Sequence, residues 1–572
     1  MTHTVTSPPV AGTTPASGTA RARALWPDNL VLALWLTVAG NLPLWQSARA
    51  AVGEGSGHWL VIAAMAGIVA SANFALLSLI SWPRLYRPLA SVLVLAAALG
   101  SHFMHSYGIV IDSSMLANVA ATDVREVRDL LTPALPLTLL LVAGPPLWWI
   151  WRRPLPQRSA LRLVLGNVGN VALGLLLAVG FGLADYQGLA SLMRNHKTLR
   201  YMINPLNSVY ASAGLVAERM PRQAMALQPV GQDARTGASY QGQARPPLLV
   251  LVIGETVRAE NFGLDGYARP TTPTLGKWQR DRGLVNFPQV TSCGTNTEVS
   301  VPCIFSPLTR DQGGNRRSAH ENLLDVLDHA GLAVLWLDNQ SGCKGVCDRV
   351  PHVSTRELTD AQWCADGECR DDILLQDLDQ RLAALDAQRR ARGVVVVLHQ
   401  MGSHGPAYFK RTPTNAKPFM PECASQNLSD CSVEEVRNAY DNTVAYTDHF
   451  LGKALSWVES QSARYDAGLV YLSDHGESLG ENGLYLHGLP YAVAPTQQTH
   501  VPMVAWLSPS LQQRNRLEQR CLQERAALPV SHDNIFHSVL GLMDVRTSAK
   551  DDGLDLFTPC AIRTAGVTSS GS

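Results

Sequence analysis

Residues Ala467 to Gly483 read AGLVYLSDHGESLGENG. The first half is a short run of Leu, Val and Tyr, which predicts a buried strand. The second half packs Asp474, His475, Glu477 and Glu481 among glycines. Asp, Ser and Gly favour turns, so a solvated turn with its glutamates facing water is one reading. The other is a ligand set, because ligands of open α/β sheets bind outside the carboxyl ends of the strands. What the rest of the chain brings to that edge decides between them.

From Leu248 onward, apolar runs alternate with helical patterns. PLLVLVIGE, LAVLWLDN, GVVVVLHQ, AGLVYLSD and VPMVAWLS are rich in Val and Leu, as parallel strands buried on both faces should be. Helical segments lie between them, and one opens with Ser432 and Glu435 at capping-box spacing. Repeated βα units predict a doubly wound α/β domain over residues 247–565. Several strands finish in ligand-type groups: Glu255, then His399 with His404 just beyond, then Asp474 and His475, with His487 further on. Carboxylates with imidazole suit zinc, with manganese open on ligand type alone. Glu255, Asp474 and His475 would leave one coordination position for catalysis. Thr295, Thr297 and Ser300, in the loop bracketed by Cys293 and Cys303, offer hydroxyls that a metal could activate.

The amino-terminal third is different. Five apolar stretches, at about Asn29–Ala48, Trp59–Ile80, Leu89–Ile111, Pro133–Trp151 and Leu163–Ala184, contain no Asp, Glu, Lys or Arg. Each approaches the ~20 residues needed to span a bilayer. Residues 25–186 are therefore expected to form a five-helix transmembrane domain, after a disordered tail over 1–24 and before a bridging helix and linker over 187–246. Arg21, Arg23, Arg84, Arg87, Arg152, Arg153, Arg158 and Arg162 cluster on one side of the spans. That bias predicts a cytoplasmic amino terminus and an extracytoplasmic catalytic domain. Lys plus Arg equals Asp plus Glu, 47 each, so no basic surface points to nucleic acid.

All 10 cysteines follow residue 292. Cys293/Cys303, Cys343/Cys347, Cys364/Cys369 and Cys423/Cys431 are close in sequence, leaving Cys521 and Cys560 as a fifth pair. In an oxidising compartment these read as disulfides; structural zinc is the competing reading of the shorter spacings.

GETVRAENFGLDGY, SCGTNTEVSVPCIFS, LHQMGSHGPAYFKR, NAYDNTVAYTD and SDHGESLGENGLYLHG together resemble the lipid A phosphoethanolamine transferases, including the mobile colistin-resistance enzymes. The resemblance runs over nearly the whole chain; SDHGE alone occurs more widely among alkaline-phosphatase-like folds. It implies that Thr297 is the nucleophile and that Glu255, Thr297, Asp474 and His475 hold zinc. It places His404, Glu477 and His487 near the phosphoryl group or a second zinc, with His404 or His487 as general acid. Thr295 and Lys344 become substrate contacts. Asn118, Thr122 and Glu126, spaced by four on one helical face, match a lipid pocket. The implied reaction moves phosphoethanolamine from phosphatidylethanolamine to lipid A, in the inner membrane and by a single chain, and confers polymyxin resistance. Gln340 stands where some relatives have Asn, and the Cys521/Cys560 pair has no place in the common pattern.

Other classes leave different marks. A sulfatase would carry a Cys-x-Pro-x-Arg nucleophile motif, which the sequence lacks. A phosphoglycerol transferase shares the architecture without the extended motifs, and transfer to a core sugar differs only in acceptor. A membrane transporter or sensor would place acids or bases in its spans, where only His102 and His105 occur.

Overall fold

A computed structural model describes residues 24–52, 58–121, 127–128, 130–155, 159–219, 227–242, 244–313, 320–355, 358, 360, 362–365 and 368–562. The amino-terminal tail and the two lipid-pocket positions Thr122 and Glu126 lie outside these residues. Among them, five helical segments are long and apolar enough to cross a membrane: Trp26–Val52, Trp59–Leu79, Tyr86–Tyr107, Ala134–Arg152 and Ala160–Ala184. The fifth packs on the second. Gly174 makes that approach possible, since a Cβ there would stand 2.9 Å from the Ser71 carbonyl oxygen. Leu176 and Leu183 on its other side stay 70% and 71% exposed, as lipid contact requires.

After the spans, the chain continues in helices Tyr186–Asn195 and Leu206–Arg219. Leu189, Leu192, Leu199 and Met202 are buried against Leu44, Met65 and Met104 of the spans, so this segment is a packed bridge. The stretch read as a linker is also docked. Arg235–Thr236 pairs antiparallel with Val545–Arg546, and Tyr240 donates to the Met543 carbonyl.

Among the described residues the central sheet has eight strands: β1 (Pro247–Gly254), β2 (Val285–Thr291), β3 (Ala333–Asp338), β4 (His352–Ser354), β5 (Val394–His399), β6 (Asp466–Ser473), β7 (His500–Leu507) and β8 (Val530–Ser531). Their spatial order is β8-β2-β7-β6-β1-β5-β3-β4. Strands β6, β1, β5, β3 and β4 run parallel. VPMVAWLS, expected to be parallel, is β7 and runs antiparallel to both neighbours. Its apolar run reflects a central position covered on both faces, which strand direction does not alter. The sheet is therefore mixed. Leu249, Leu251 and Ile253 of β1 enter one core while Leu248, Val250 and Val252 enter the other. The helix Val433–Ser460 covers one face, opened by reciprocal bonds between Ser432 and Glu435.

The membrane and soluble parts share their packing. Tyr107 and Ile109, at the end of the third span, are buried with Tyr408 and Tyr440. Leu489 is buried among Leu44, Met104 and Val110. Helix Ser113–Ala121 contacts helix Thr297–Ile304.

Five disulfides join Cys293–Cys303, Cys343–Cys347, Cys364–Cys369, Cys423–Cys431 and Cys521–Cys560. The last closes the longest loop, 39 residues, and ties the carboxyl-terminal turn to helix Gln519–Ala526. Loop entropy gives such a crosslink about 4 kcal/mol at most. Cys521→Ala with Cys560→Ala is expected to lower unfolding stability by about 2–4 kcal/mol, read by denaturant melting of the whole chain. A midpoint equal to wild type would contradict this.

Candidate metal centre and transfer site

The site is assembled by strand register. β1 and β6 are parallel neighbours with Gly254 opposite Ser473. The next residues, Glu255 and Asp474, therefore emerge side by side at the carboxyl edge. Asp474 Oδ1 is tied down by the backbone N–H groups of Thr256 (3.1 Å) and His475 (2.8 Å). Its Oδ2 is buried with no hydrogen-bond partner. His475 Nδ1 donates to the Gly476 carbonyl at 3.0 Å, which leaves Nε2 facing the acids. That nitrogen lies 3.2 Å from Glu255 Oε1 and 3.4 Å from Asp474 Oδ2. One ligand atom from each of Glu255, Asp474 and His475 falls within 4.8 Å of the others.

Thr297 opens the helix Thr297–Ile304, capped by Asn296 Oδ1, which accepts from the Val299 N–H at 3.1 Å. Its hydroxyl donates toward Glu255, 3.1 Å from Oε2 and 3.3 Å from Oε1, and lies 3.5 Å from His475 Nε2. At a helix start, free N–H groups and the macrodipole favour negative charge on or near that oxygen. The loop is fixed by the Cys293–Cys303 bond. Thr295 also fixes it: its hydroxyl donates to the Leu489 carbonyl at 2.7 Å. Ser300 Oγ is buried without a hydrogen-bond partner.

Two buried acids beside one imidazole form an electrostatic problem. Burial pushes the Asp474 carboxyl up, and the charge on Glu255 pushes it further, to about 6. Burial opposes charge on His475 too, but Asp474 and Glu255 outweigh it and raise the ring to about 10. Burial would also raise Glu255; its hydrogen bond to His475 and the charge there hold it well below the usual carboxylate range. A proton on His475 thus holds the place of a cation. Three oxygens with one nitrogen, and an orphaned buried carboxylate oxygen among them, fit a divalent ion of zinc type.

A second group adjoins the first. Glu477 is fully buried, with Oε2 3.1 Å from His487 Nδ1 and Oε1 lacking a hydrogen-bond partner. Burial raises its carboxyl to about 8, against the opposing pull of His475 and His404. The His487 ring lies 4.3 Å from that of His475 and 5.6 Å from that of His404, centroid to centroid. His399 stands apart: fully buried in β5, it pairs Nδ1 with Asp338 Oδ2 at 2.9 Å. Lys344 Nζ donates to Ser341 Oγ at 2.7 Å, and Ser341 donates to Gln340 Oε1. Asn118 lies on the helix Ser113–Ala121, half-buried.

Several supporting residues join these, of which the resemblance singles out only Gln340. Gln340, just past β3, donates Nε2 to Glu255 Oε2 at 3.1 Å, which links the Lys344 chain to the centre. Arg258, 2% exposed, donates to the Glu477 carbonyl and pairs with Glu481. Gly402, at φ +51, runs under Glu255, and a Cβ would stand 2.6 Å from the Glu255 carbonyl oxygen. His532 bridges the two halves of the site. Its Nδ1 accepts from the Cys293 N–H at 3.2 Å, so Nε2 donates to the Ser473 carbonyl at 3.0 Å.

Burial pushes His532 down from 6.5 to about 3, and charge on His475 adds to that. The neutral ring therefore supports the fold fully above pH 6.5. As pH falls from there toward 3, the unfolded chain takes up the proton first and stability declines, by up to about 1.4 kcal/mol per pH unit. His532→Gln can keep both hydrogen bonds without titrating. Its melting temperature is expected to fall less steeply over that acid range than that of wild type; parallel curves would contradict it.

A mixed α/β sheet with Glu255, Thr297, Asp474 and His475 at its carboxyl edge defines an alkaline-phosphatase- and sulfatase-like domain, here joined to a five-span membrane part. Residues 247–545 match the sulfatase family, and residues 69–220 match the family described as phosphoethanolamine transferase EptA/EptB. Phosphoethanolamine transferase EptA of Salmonella typhimurium is 41% identical over 506 residues, covering 88% of this chain and 90% of its own length. Phosphatidylethanolamine transferase Mcr-1 of Escherichia coli is 35% identical over 543 residues, 91% and 95% of the two chains. The integral membrane lipooligosaccharide phosphoethanolamine transferase A of Neisseria meningitidis has a solved structure that superposes with TM-score 0.88 at 33% identity. It covers 93% of this chain and 98% of that one. The chain belongs to the phosphoethanolamine transferase family.

Proposed function

We propose that the chain takes phosphoethanolamine from phosphatidylethanolamine, holds it on Thr297, and delivers it to a phosphate of lipid A. The observation that carries this reading is the Thr297 hydroxyl, 3.1 Å from Glu255 Oε2 and 3.5 Å from His475 Nε2 at the first turn of a helix. Glu255, Thr297, Asp474 and His475 would hold one zinc ion, with Glu477, His404 and His487 available to a second. Bound there, zinc would supply Lewis acidity, lowering the pKa of a bound hydroxyl and offsetting charge on phosphoryl oxygens.

In the first step Thr297 Oγ1 forms a bond to phosphorus and gives up its proton toward Glu255. The bond from phosphorus to the diacylglycerol oxygen breaks, and that oxygen takes a proton from His404 or His487. In the second step a lipid A phosphate oxygen attacks the same phosphorus. The Thr297 Oγ1–phosphorus bond breaks, Oγ1 takes back the proton held at Glu255, and the histidine regains its proton from water. Positioning and preorganised charge carry most of such a transfer. Lys344, placed by Ser341 and Gln340, would meet the phosphate or the acceptor. Asn118, with Thr122 and Glu126, would meet the lipid. Thr295 supports the loop.

The chain is proposed to lie in the bacterial inner membrane as a monomer, amino terminus in the cytoplasm and catalytic domain in the periplasm. The added amine lowers surface negative charge and with it the attraction of cationic polymyxins. Expression in a host lacking the activity is expected to give lipid A carrying phosphoethanolamine by mass spectrometry. Unmodified lipid A beside well-inserted protein would overturn lipid A as acceptor.

A further inference from the structure

At the membrane face remote from the catalytic domain the charge is one-sided. Tyr107 ends the third span inside the catalytic core, so its start, at Tyr86, marks the opposite side. Among the described residues, those flanking the spans there include Arg84, Arg87, Arg152, Arg153 and Arg162 against a single acid, Asp28. Asp28 is 2% exposed and lies 3.9 Å from Arg153 Nε. Arg84, Arg87, Arg152 and Arg162 meet no carboxylate among the described residues.

Three of these guanidinium groups are not free to wander. Arg153 lies 3.8 Å from the Trp149 ring centroid, Arg152 5.1 Å from Trp148, and Arg87 5.5 Å from Trp151. Arg87 Nη2 also donates to the Arg153 carbonyl at 3.0 Å, and Trp151 Nε1 donates to Ser91 Oγ at 3.2 Å. These bonds gather the stacks into one corner between the start of the third span and the end of the fourth. Indoles favour the headgroup level of a bilayer; Trp148 and Trp151 are 59% and 57% exposed there. A guanidinium held over an indole face keeps its N–H fork available for other partners, and that fork takes phosphate bidentately.

We propose that this Arg87–Arg152–Arg153 corner is a binding site for the headgroup of an anionic phospholipid in the leaflet opposite the catalytic domain. Excess positive charge asks for a headgroup with net negative charge, and stacking gives it a fixed place. The site stands apart from the transfer chemistry and holds whatever the acceptor proves to be.

The test is native mass spectrometry of the delipidated full-length protein in non-ionic detergent, titrated with cardiolipin or with zwitterionic phosphatidylcholine. One saturable cardiolipin adduct per chain is expected, bound at least about tenfold better than phosphatidylcholine. Each arginine near a lipid phosphate is worth about fivefold, so Arg87→Gln/Arg153→Gln is expected to weaken the adduct by about 25-fold. Arg84→Gln/Arg162→Gln, which removes two unstacked arginines, is expected to weaken it far less. Equal binding of the two lipids by wild type overturns the proposal, and so does an equal loss in the two double variants, which would mean diffuse attraction. If the stacked double variant does not fold, the exposed single variant Arg152→Gln takes its place: a several-fold loss supports the site and an unchanged adduct overturns it.

Discussion

Thr297→Ala is expected to abolish transfer, lowering turnover by at least about a thousandfold. Among the described residues only the Thr297 hydroxyl meets both Glu255 and His475 Nε2, the Thr256 hydroxyl meeting Glu255 Oε1 alone. Thr295 donates to the Leu489 carbonyl, and Ser300 Oγ lies one helical turn on, buried with no hydrogen-bond partner. Neither can substitute without rebuilding a loop closed by the Cys293–Cys303 bond. The change removes a hydroxyl and a methyl group from a residue 4% exposed, so the fold is expected to survive. Thr297→Ser keeps the nucleophilic oxygen and is expected to retain measurable activity, since it loses only the methyl group that fixes the rotamer. The readout is phosphoethanolamine on lipid A at matched protein levels. Equal modification by the alanine variant would remove Thr297 from its role.

Asp474→Asn carries the second large effect. The side-chain oxygen can still accept from the Thr256 and His475 N–H groups, so local structure is expected to hold. The other position changes from a buried, unpartnered carboxylate oxygen to an amide NH2 that repels a cation. Metal content per chain is expected to fall at least about a hundredfold in affinity, with activity falling in step. The apoprotein is expected to be no less stable than wild-type apoprotein, because burial and the charge on Glu255 both disfavour the native carboxylate. Chelation should therefore lower the wild-type melting temperature, as loss of a ligand specific to the native state does, and leave that of Asp474→Asn unmoved. Tight metal binding by the variant would contradict this assignment.

The legible parts of the fold were those whose physics is local. Continuous Val and Leu runs marked β1, β3, β5, β6 and β7, because each is covered on both faces. β2 is not legible as a run: VNFPQVT carries a proline and buries only Val285, Phe287 and Val290. β4, three residues long, and β8, two, are too short for any periodicity. The antiparallel direction of β7 is set by how the chain returns from β6, and composition does not encode it.

The site divides in the same way. Glu255, Asp474 and His475 could be singled out because each follows an apolar strand directly. Gln340 is 85 residues from Glu255, and His532 is 59 from Ser473; only tertiary contact makes them partners. Thr295, a substrate contact by the resemblance, donates its hydroxyl proton to the Leu489 carbonyl 194 residues away, a bond that no local pattern encodes.

The central claim is that the Thr297 alcohol is the group that accepts phosphoethanolamine. Its most direct measurement is mass mapping of the peptide spanning Cys293 to Cys303, after incubation of the full-length enzyme with phosphatidylethanolamine bearing a labelled headgroup and with no lipid acceptor. A phosphoethanolamine adduct on Thr297, discharged when lipid A is added, is the expected result. Transfer to lipid A without any adduct on this peptide, or with the label on Thr295 or Ser300 instead, would contradict it.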